Sequence, residues 1–220
     1  AQARVVMLKN NQLLDHAGIS IDALGSWNTT RGLKASEVQD VFEIFAASSA
    51  ACIVRRKVFY EAGGFDSDYF IYDDDTDFSF RVRLLGYKIV YVPSAVVFHE
   101  GETARALNPR KLYHGFKNRT CTMLKNYEIE NAWWRFSLYT ALSVLLGIGL
   151  ALAKKADEAK AIFKSVAYPV VNIKRIWTKR IQVQRNRRIK DSDLFNNGFL
   201  RNDISATLSD LMSKLKYLKR

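Results

Sequence analysis

The stretch from Gly63 to His99, GGFDSDYFIYDDDTDFSFRVRLLGYKIVYVPSAVVFH, constrains this chain most. Asp66, Asp73, Asp74, Asp75 and Asp77 fall within twelve positions. Like charges that close repel, so a fold keeps them on a solvated surface or around a cation or polar ligand. A solvated acidic loop would have polar flanks. Here Tyr69, Phe70, Ile71 and Tyr72 precede the acids, and Phe78 and Phe80 follow. Such side chains seek burial, which puts the carboxylates at the rim of a core, in a cleft.

The same stretch carries local structure signals. Gly63-Gly64 reads as a helix stop and a sharp turn, with left-handed backbone at one of the two. Asp75-Thr76-Asp77 opens a helix over roughly 76–85, with Phe78, Val82 and Leu85 along one face. Acids at a helix start are favoured by its free N–H groups and dipole, so one of Asp75 and Asp77 is expected to be structural. Gly86 ends the helix, and 89–92 and 95–98 read as two strands.

These residues resemble the family 2, GT-A-type inverting glycosyltransferases, in particular the rhamnosyl- and galactofuranosyl-transferase-like branch. The resemblance rests on Gly63-Gly64-Phe65-Asp66, Tyr72-Asp73-Asp74-Asp75-Thr76-Asp77, Arg81, Gly86-Tyr87, Tyr91-Val92-Pro93 and His99, in order over about forty residues. Many relatives carry Glu where this chain has Asp74. The resemblance implies an α/β fold, the acceptor side of a GT-A domain with a Rossmann-like mixed sheet. It implies that Asp75 is the general base and that Asp74 and Asp77 hydrogen-bond acceptor hydroxyls. Gly64, Phe65 and Asp66 would shape the acceptor loop, with Arg81 one helical turn beyond Asp77 to hold it. His99 would help bind a divalent cation, Mg²⁺ or Mn²⁺. The implied partners are a nucleotide-diphospho-sugar donor and a glycan or polyprenyl-linked acceptor.

The family's metal-holding Asp-x-Asp belongs to a nucleotide-binding half upstream, and none occurs before residue 60. The chain therefore looks like the C-terminal portion of such an enzyme, and alone is expected to be nearly inactive. Residues 1–108 would be the catalytic, acceptor-binding half, and 109–220 a basic helical extension.

Charge sharpens that division. Residues 1–100 carry 10 Lys and Arg against 13 Asp and Glu, and residues 101–220 carry 24 against 9. Such asymmetry points the C-terminal part at an anionic surface, membrane or nucleic acid. Cys52 and Cys121 lie far apart with no CxxC, so neither a disulfide framework nor a zinc site is expected, in keeping with a reducing compartment.

In the remainder, residues 4–8 read as a strand and 13–35 as turn-rich with little periodicity, His16 there being polar surface. Residues 46–54 are small, then β-branched, which lets backbone approach a neighbour closely. A short helix from Arg56 follows. Residues 111–126 read as a helix, and a last helix is expected over 204–218. Trp133-Trp134 precedes an apolar run over 136–153, closed by Lys154-Lys155. Its 18 residues reach roughly 27 Å as a helix, short for a bilayer. An in-plane or re-entrant membrane helix is favoured, ahead of a span and a buried soluble helix. Residues 161–189 mix apolar and basic positions, as a helix on anionic headgroups does. Together these place the chain on the cytoplasmic face of the cell membrane.

Two other classes compete. The pI of 9.7 suits a non-enzymatic nucleic-acid- or membrane-binding module. No nucleic-acid motif accompanies it, and an acidic cleft repels phosphate, so no nucleic-acid partner is expected. A glycosidase needs carboxyls across a scissile bond, whereas these all lie on one turn.

Overall fold

The computed structural model describes residues 1–100 and 108–216. Strand β1 (Gln2–Met7) pairs antiparallel with β2 (Asn10–His16). A small separate sheet holds β3 (Ile19–Ile21) and β4 (Trp27–Thr29). The expected turn-rich region thus contains three strands. After β5 (Phe42–Glu43) come helices α1 (Arg56–Glu61) and α2 (Asp74–Leu84), then the strand β6 (Val90–His99). The main sheet has the order β2-β1-β6-β5, with β1 and β6 parallel and the other pairs antiparallel. It is a mixed sheet, as the α/β reading requires.

The two strands expected around Pro93 are one. Ala3 pairs with Val92 and Arg4 with Val96, so residues 93–95 bulge out of the ladder. The bulge takes up Pro93, which has no N–H to offer, and the strand continues. Gly63 and Gly64 are both left-handed, at φ 80° and 63°, where one was expected. A Cβ on Gly64 would also meet the Phe59 ring at 3.2 Å.

The C-terminal half is helical: α3 (Pro109–Asn126), α4 (Ile129–Leu152), α5 (Ala156–Val171), α6 (Ile173–Asn186), α7 (Asp191–Asn196) and α8 (Ser205–Lys216). Asn108 caps α3 by accepting from the Arg110 and Lys111 N–H groups, and Pro109 fits the first turn, where no N–H is missed. α3 packs against α4, α5 and α6.

One hydrophobic core runs through both halves. It joins Ile19, Ile21, Phe45 and Phe80 to Leu112, Tyr139, Ile162 and Leu211. The chain's end also ties back to its beginning: Asp22 accepts from the Thr207 backbone N–H at 2.6 Å, and Leu200 bridges to Ile21. A second cluster, with Val6, Leu14, Val58, Phe78 and Tyr91, fills the space between the main sheet and α1–α2.

Candidate active site

The acidic turn is strained and clamped. Tyr72 and Asp73 are consecutive non-glycine residues at φ 67° and 57°. Left-handed backbone costs of order 1–3 kcal/mol per residue and persists only where neighbours over-determine it. The neighbour is α3. Asn118 is fully buried, and its amide donates to the Ile71 carbonyl at 2.9 Å and the Tyr72 carbonyl at 2.7 Å. The Tyr69 hydroxyl donates to the Asn118 carbonyl at 3.0 Å. Asn118→Ala is expected to cost about 1–3 kcal/mol of stability, by leaving two carbonyls unpaired on a strained turn. Urea denaturation measures this, and a change below about 0.5 kcal/mol would refute the clamp.

The clamp sets Asp73 and Asp75 at the start of α2. Both are buried, at 3% and 7% exposure. Burial pushes the Asp73 carboxyl up to about 6, with help from Asp75 and Asp74 and against the pull of Arg119. Burial pushes Asp75 up to about 6 as well, opposed by the Ser49 N–H and aided by Asp74. The Ser49 N–H donates to Asp75 Oδ2 at 3.1 Å, and the Thr76 N–H to Oδ1 at 2.8 Å. The small-residue segment around 46–52 is thus laid against α2. The Ala47 N–H also reaches Ser79 Oγ, at 3.2 Å.

Asp75 lines a cavity of about 480 Å³ with Ser49, Cys52, Arg55, Phe65 and Phe78. Of the expected acceptor-loop residues, Phe65 shares this cavity, 46% exposed, edge-on to Phe59 and tilted against Phe78. Gly64 serves the turn before it. Asp74 sits partly exposed on the first turn of α2.

Arg81 holds Asp77 as its spacing implied, whereas Asp66 and Asp77 are placed otherwise than expected. Asp77 is fully buried and accepts from Arg81 Nη2 at 2.9 Å and Asn126 Nδ2 at 3.0 Å, with Lys125 Nζ at 3.0 Å. Asp66 meets Lys125 at 2.5 Å and also pairs with Lys179. Arg81 donates to the Ala62 carbonyl as well. These carboxylates are committed to the protein's own cations, and Asp77 presents no free face to a substrate hydroxyl. With Arg81, Lys125 and Lys179, Asp66 lines a second cavity of about 450 Å³, and Phe65 stands between the two.

His99 lies elsewhere. Its Nδ1 is 2.6 Å from Asp15 Oδ2, and Asp15 is buried between Arg31, at 3.2 Å, and His16, at 3.7 Å. His16 ends a strand and packs edge-on against Trp27, so it is not loop surface. Burial lowers its pKa, opposed by Asp15. His99 pairs with Met7 at the far end of β1, whereas the Ser48-Ser49 backbone beside Asp75 is tied to Gln2 at its near end. Five residues of strand separate those anchors by about 16 Å. The cavity at Asp75 does not reach His99. Among the described residues, no cluster of three or more His, Cys, Asp or Glu side chains is arranged to hold a metal ion. The His99–Asp15 pair on its own therefore does not fit a metal centre.

Asp15, Asp73 and Asn118 are residues to which the motifs gave no role. Asp73 was readable as part of the acidic run. Asp15 becomes relevant only through a partner 84 positions away.

Residues 28–154, more than half of the chain, match the family model described as glycosyl transferase family group 2. Two curated relatives, from Mycobacterium tuberculosis strains CDC 1551 / Oshkosh and ATCC 25618 / H37Rv, are each 34% identical over 91 residues. Both are named N-acetylglucosaminyl-diphospho-decaprenol L-rhamnosyltransferase. The match covers 41% of this chain and 29% of each relative, so the chain spans under a third of their length. The acidic turn and the helix it opens lie inside the matched region, and by that match the chain belongs to glycosyl transferase family group 2.

Proposed function

We propose that this chain supplies the acceptor half of an inverting glycosyltransferase, residues 1–108 forming that half and 109–220 a basic helical extension. The donor is a nucleotide-diphospho-sugar. The acceptor is a hydroxyl of a glycan or a polyprenyl-linked sugar. The relatives act on a lipid-linked acceptor by name, which supports the second source. The setting is the cytoplasmic face of a membrane carrying anionic lipid.

One observation carries the reading: a buried carboxyl at a helix start, raised to about 6, opening on a cavity. A base with a pKa near working pH is both ionised and able to take a proton. Asp75 receives the proton of the acceptor hydroxyl as its oxygen attacks the anomeric carbon. The bond from that carbon to the nucleoside diphosphate breaks on the opposite face, so the configuration inverts. Ser49 and Thr76 hold the carboxylate in place through their backbone N–H groups. Phe65 offers a flat apolar wall on which a sugar ring can rest. Asp66, Asp77 and Arg81 position α2 and the loop before it.

A divalent cation, Mg²⁺ or Mn²⁺, neutralises a leaving diphosphate when bound. The His99–Asp15 pair does not by itself fit such a cation, so no step is assigned to it.

The test is transfer of labelled sugar by the full-length enzyme across pH. Asp75 works as the ionised form, so kcat/KM is expected to fall as pH drops through about 6, approaching tenfold per pH unit. A profile flat from pH 7.5 to 4.5 would remove Asp75 as the base.

A further inference from the structure

Helix α4 is built inside out. Its buried face carries Ala132, Arg135, Tyr139, Ser143 and Gly147 together with Leu146 and Leu150. Its exposed face carries Trp134, Leu138, Ala141, Leu145, Ile148 and Leu152. At 100° per residue these six lie within about 80° of one another, a single stripe. Leu145 and Leu152 are 63% and 81% exposed. Among exposed positions of the helix, Glu130 before the stripe is the only charge. A helix packed on a water-soluble body puts its apolar side in and its polar side out. Here the outward side is the more apolar.

We propose that the stripe lies flat in the headgroup–acyl boundary of an anionic membrane, with α4 parallel to its plane. The inference rests on the membrane setting of the function proposed above, and names the surface and its orientation. Four observations favour a lipid surface. First, the stripe runs 19 residues from Trp134 to Leu152, about 27 Å, and is about 10 Å wide. That is near 270 Å², well short of the ~800 Å² a specific protein partner covers. Second, Trp133 and Trp134 sit at one end and Lys154 and Lys155 just past the other, groups that settle at headgroup level. Third, more apolar surface adjoins on α5, where Phe163 is 40% exposed. Lys160 and Lys164 border it there, in a shallow groove with Ala151 and Ala167. Asp157 and Glu158 offset part of this charge one turn earlier. Fourth, the inward face forbids a simple span. Arg135 is buried beneath α4, and α3 behind it buries Lys117 and Lys125. A transbilayer α4 would carry these into hydrocarbon. A helix half in the bundle and half in lipid keeps them where they are.

The test uses this chain and no sugar nucleotide, so its failure leaves glycosyl transfer untouched. Flotation with vesicles of phosphatidylcholine and phosphatidylglycerol is expected to capture the chain, and vesicles of phosphatidylcholine alone to capture far less. The variant Leu145→Glu/Ile148→Glu changes only exposed positions and is expected to keep its circular dichroism and Tm while losing binding at least tenfold. Lys160→Glu/Lys164→Glu is expected to abolish the preference for anionic vesicles. A fluorophore placed at Leu138→Cys, Leu145→Cys or Leu152→Cys in turn is expected to report one shallow depth. A depth gradient along the helix means a span and overturns the proposal. Binding that ignores the glutamates overturns the surface but not the membrane setting. No binding at all overturns both. A chain that is dimeric in solution and turned monomeric by the glutamates assigns the stripe to a second copy and overturns the proposal.

Discussion

In the full-length enzyme, Asp75→Asn is expected to lower kcat by 10²- to 10⁴-fold, the range that positioned proton transfer supplies, with KM for the donor nearly unchanged. The same substitution is expected to make the protein more stable at pH 7. Folding raises the Asp75 pKa from the usual 3.8 to about 6 because burial disfavours its charge. The folded state therefore holds the proton more tightly than the unfolded chain, and ionisation works against the fold. At about 1.4 kcal/mol for each pH unit, that cost is close to 3 kcal/mol once pH exceeds 6. It shrinks between pH 6 and 4 and is gone below about 3.8. Asparagine resembles the neutral acid and escapes this cost, while losing part of the hydrogen bonding from Ser49 and Thr76. The net gain is expected to be about 1–2 kcal/mol at pH 7 and absent near pH 4. Thermal unfolding at the two pH values reads it. A structural carboxylate would give the opposite sign, so activity and stability moving together would sink the assignment.

This opposition is what a functional site costs a fold. Asp73 adds to it, being also buried, also raised to about 6 and left-handed besides. No packing advantage accompanies two buried carboxyls side by side at a helix start.

Much of this was legible in the chain itself. Of the apolar flanks, Tyr69, Phe78 and Phe80 are buried as their chemistry implied, whereas Phe70 and Ile71 stay exposed. Gly86 stops α2 within a residue of where its spacing said, and α3 begins at Pro109, two residues before the start read from the sequence. The strands of the first thirty residues were not legible. β3 and β4 have three residues each, too short for an alternating pattern to stand out. β2 opens with Asn-Asn-Gln, polar on both faces because its first three residues are exposed. The fate of Asp66 and Asp77 was hidden for another reason. The motif shows four acids on one turn but not which of them meet lysines. Lys125 is 59 positions from Asp66, and Lys179 is 113. Spacing along the chain carries no trace of such pairs. The reach of His99 was likewise misjudged because its strand is continuous past Pro93, which carries the imidazole to the far end of β1.

Lys125→Met is expected to be the most destabilising single change in the molecule outside the apolar core. The Lys125 side chain is 2% exposed, with its ammonium between Asp66 at 2.5 Å and Asp77 at 3.0 Å and 4.4 Å from the centre of the Tyr69 ring. Burial opposes the charge on both acids, and Lys125, joined by Lys179 at Asp66 and by Arg81 at Asp77, outweighs it, holding each below the ordinary carboxylate range. Removing one partner from such a buried cluster costs about 3–5 kcal/mol, since the remaining charges stay enclosed. Arg81 on Asp77 and Lys179 on Asp66 soften the loss, so about 3 kcal/mol is expected at pH 7, or roughly 6–12 °C in Tm. The pH dependence has a definite sign. A carboxyl whose folded pKa is depressed contributes stability above its unfolded pKa and loses it as pH falls through the folded one. The gap between the parent chain and Lys125→Met is therefore widest near neutrality and closes below about pH 4. Adding Asp77→Asn to Lys125→Met is expected to restore part of the loss, because one stranded charge is gone. If the single variant loses less than 1 kcal/mol, or the second substitution adds its own full cost, the cluster is not what joins the Gly63-Gly64 loop, α2 and α3. Activity should follow, for the same cluster sits two residues beyond Asp75 and fixes the direction in which α2 presents it.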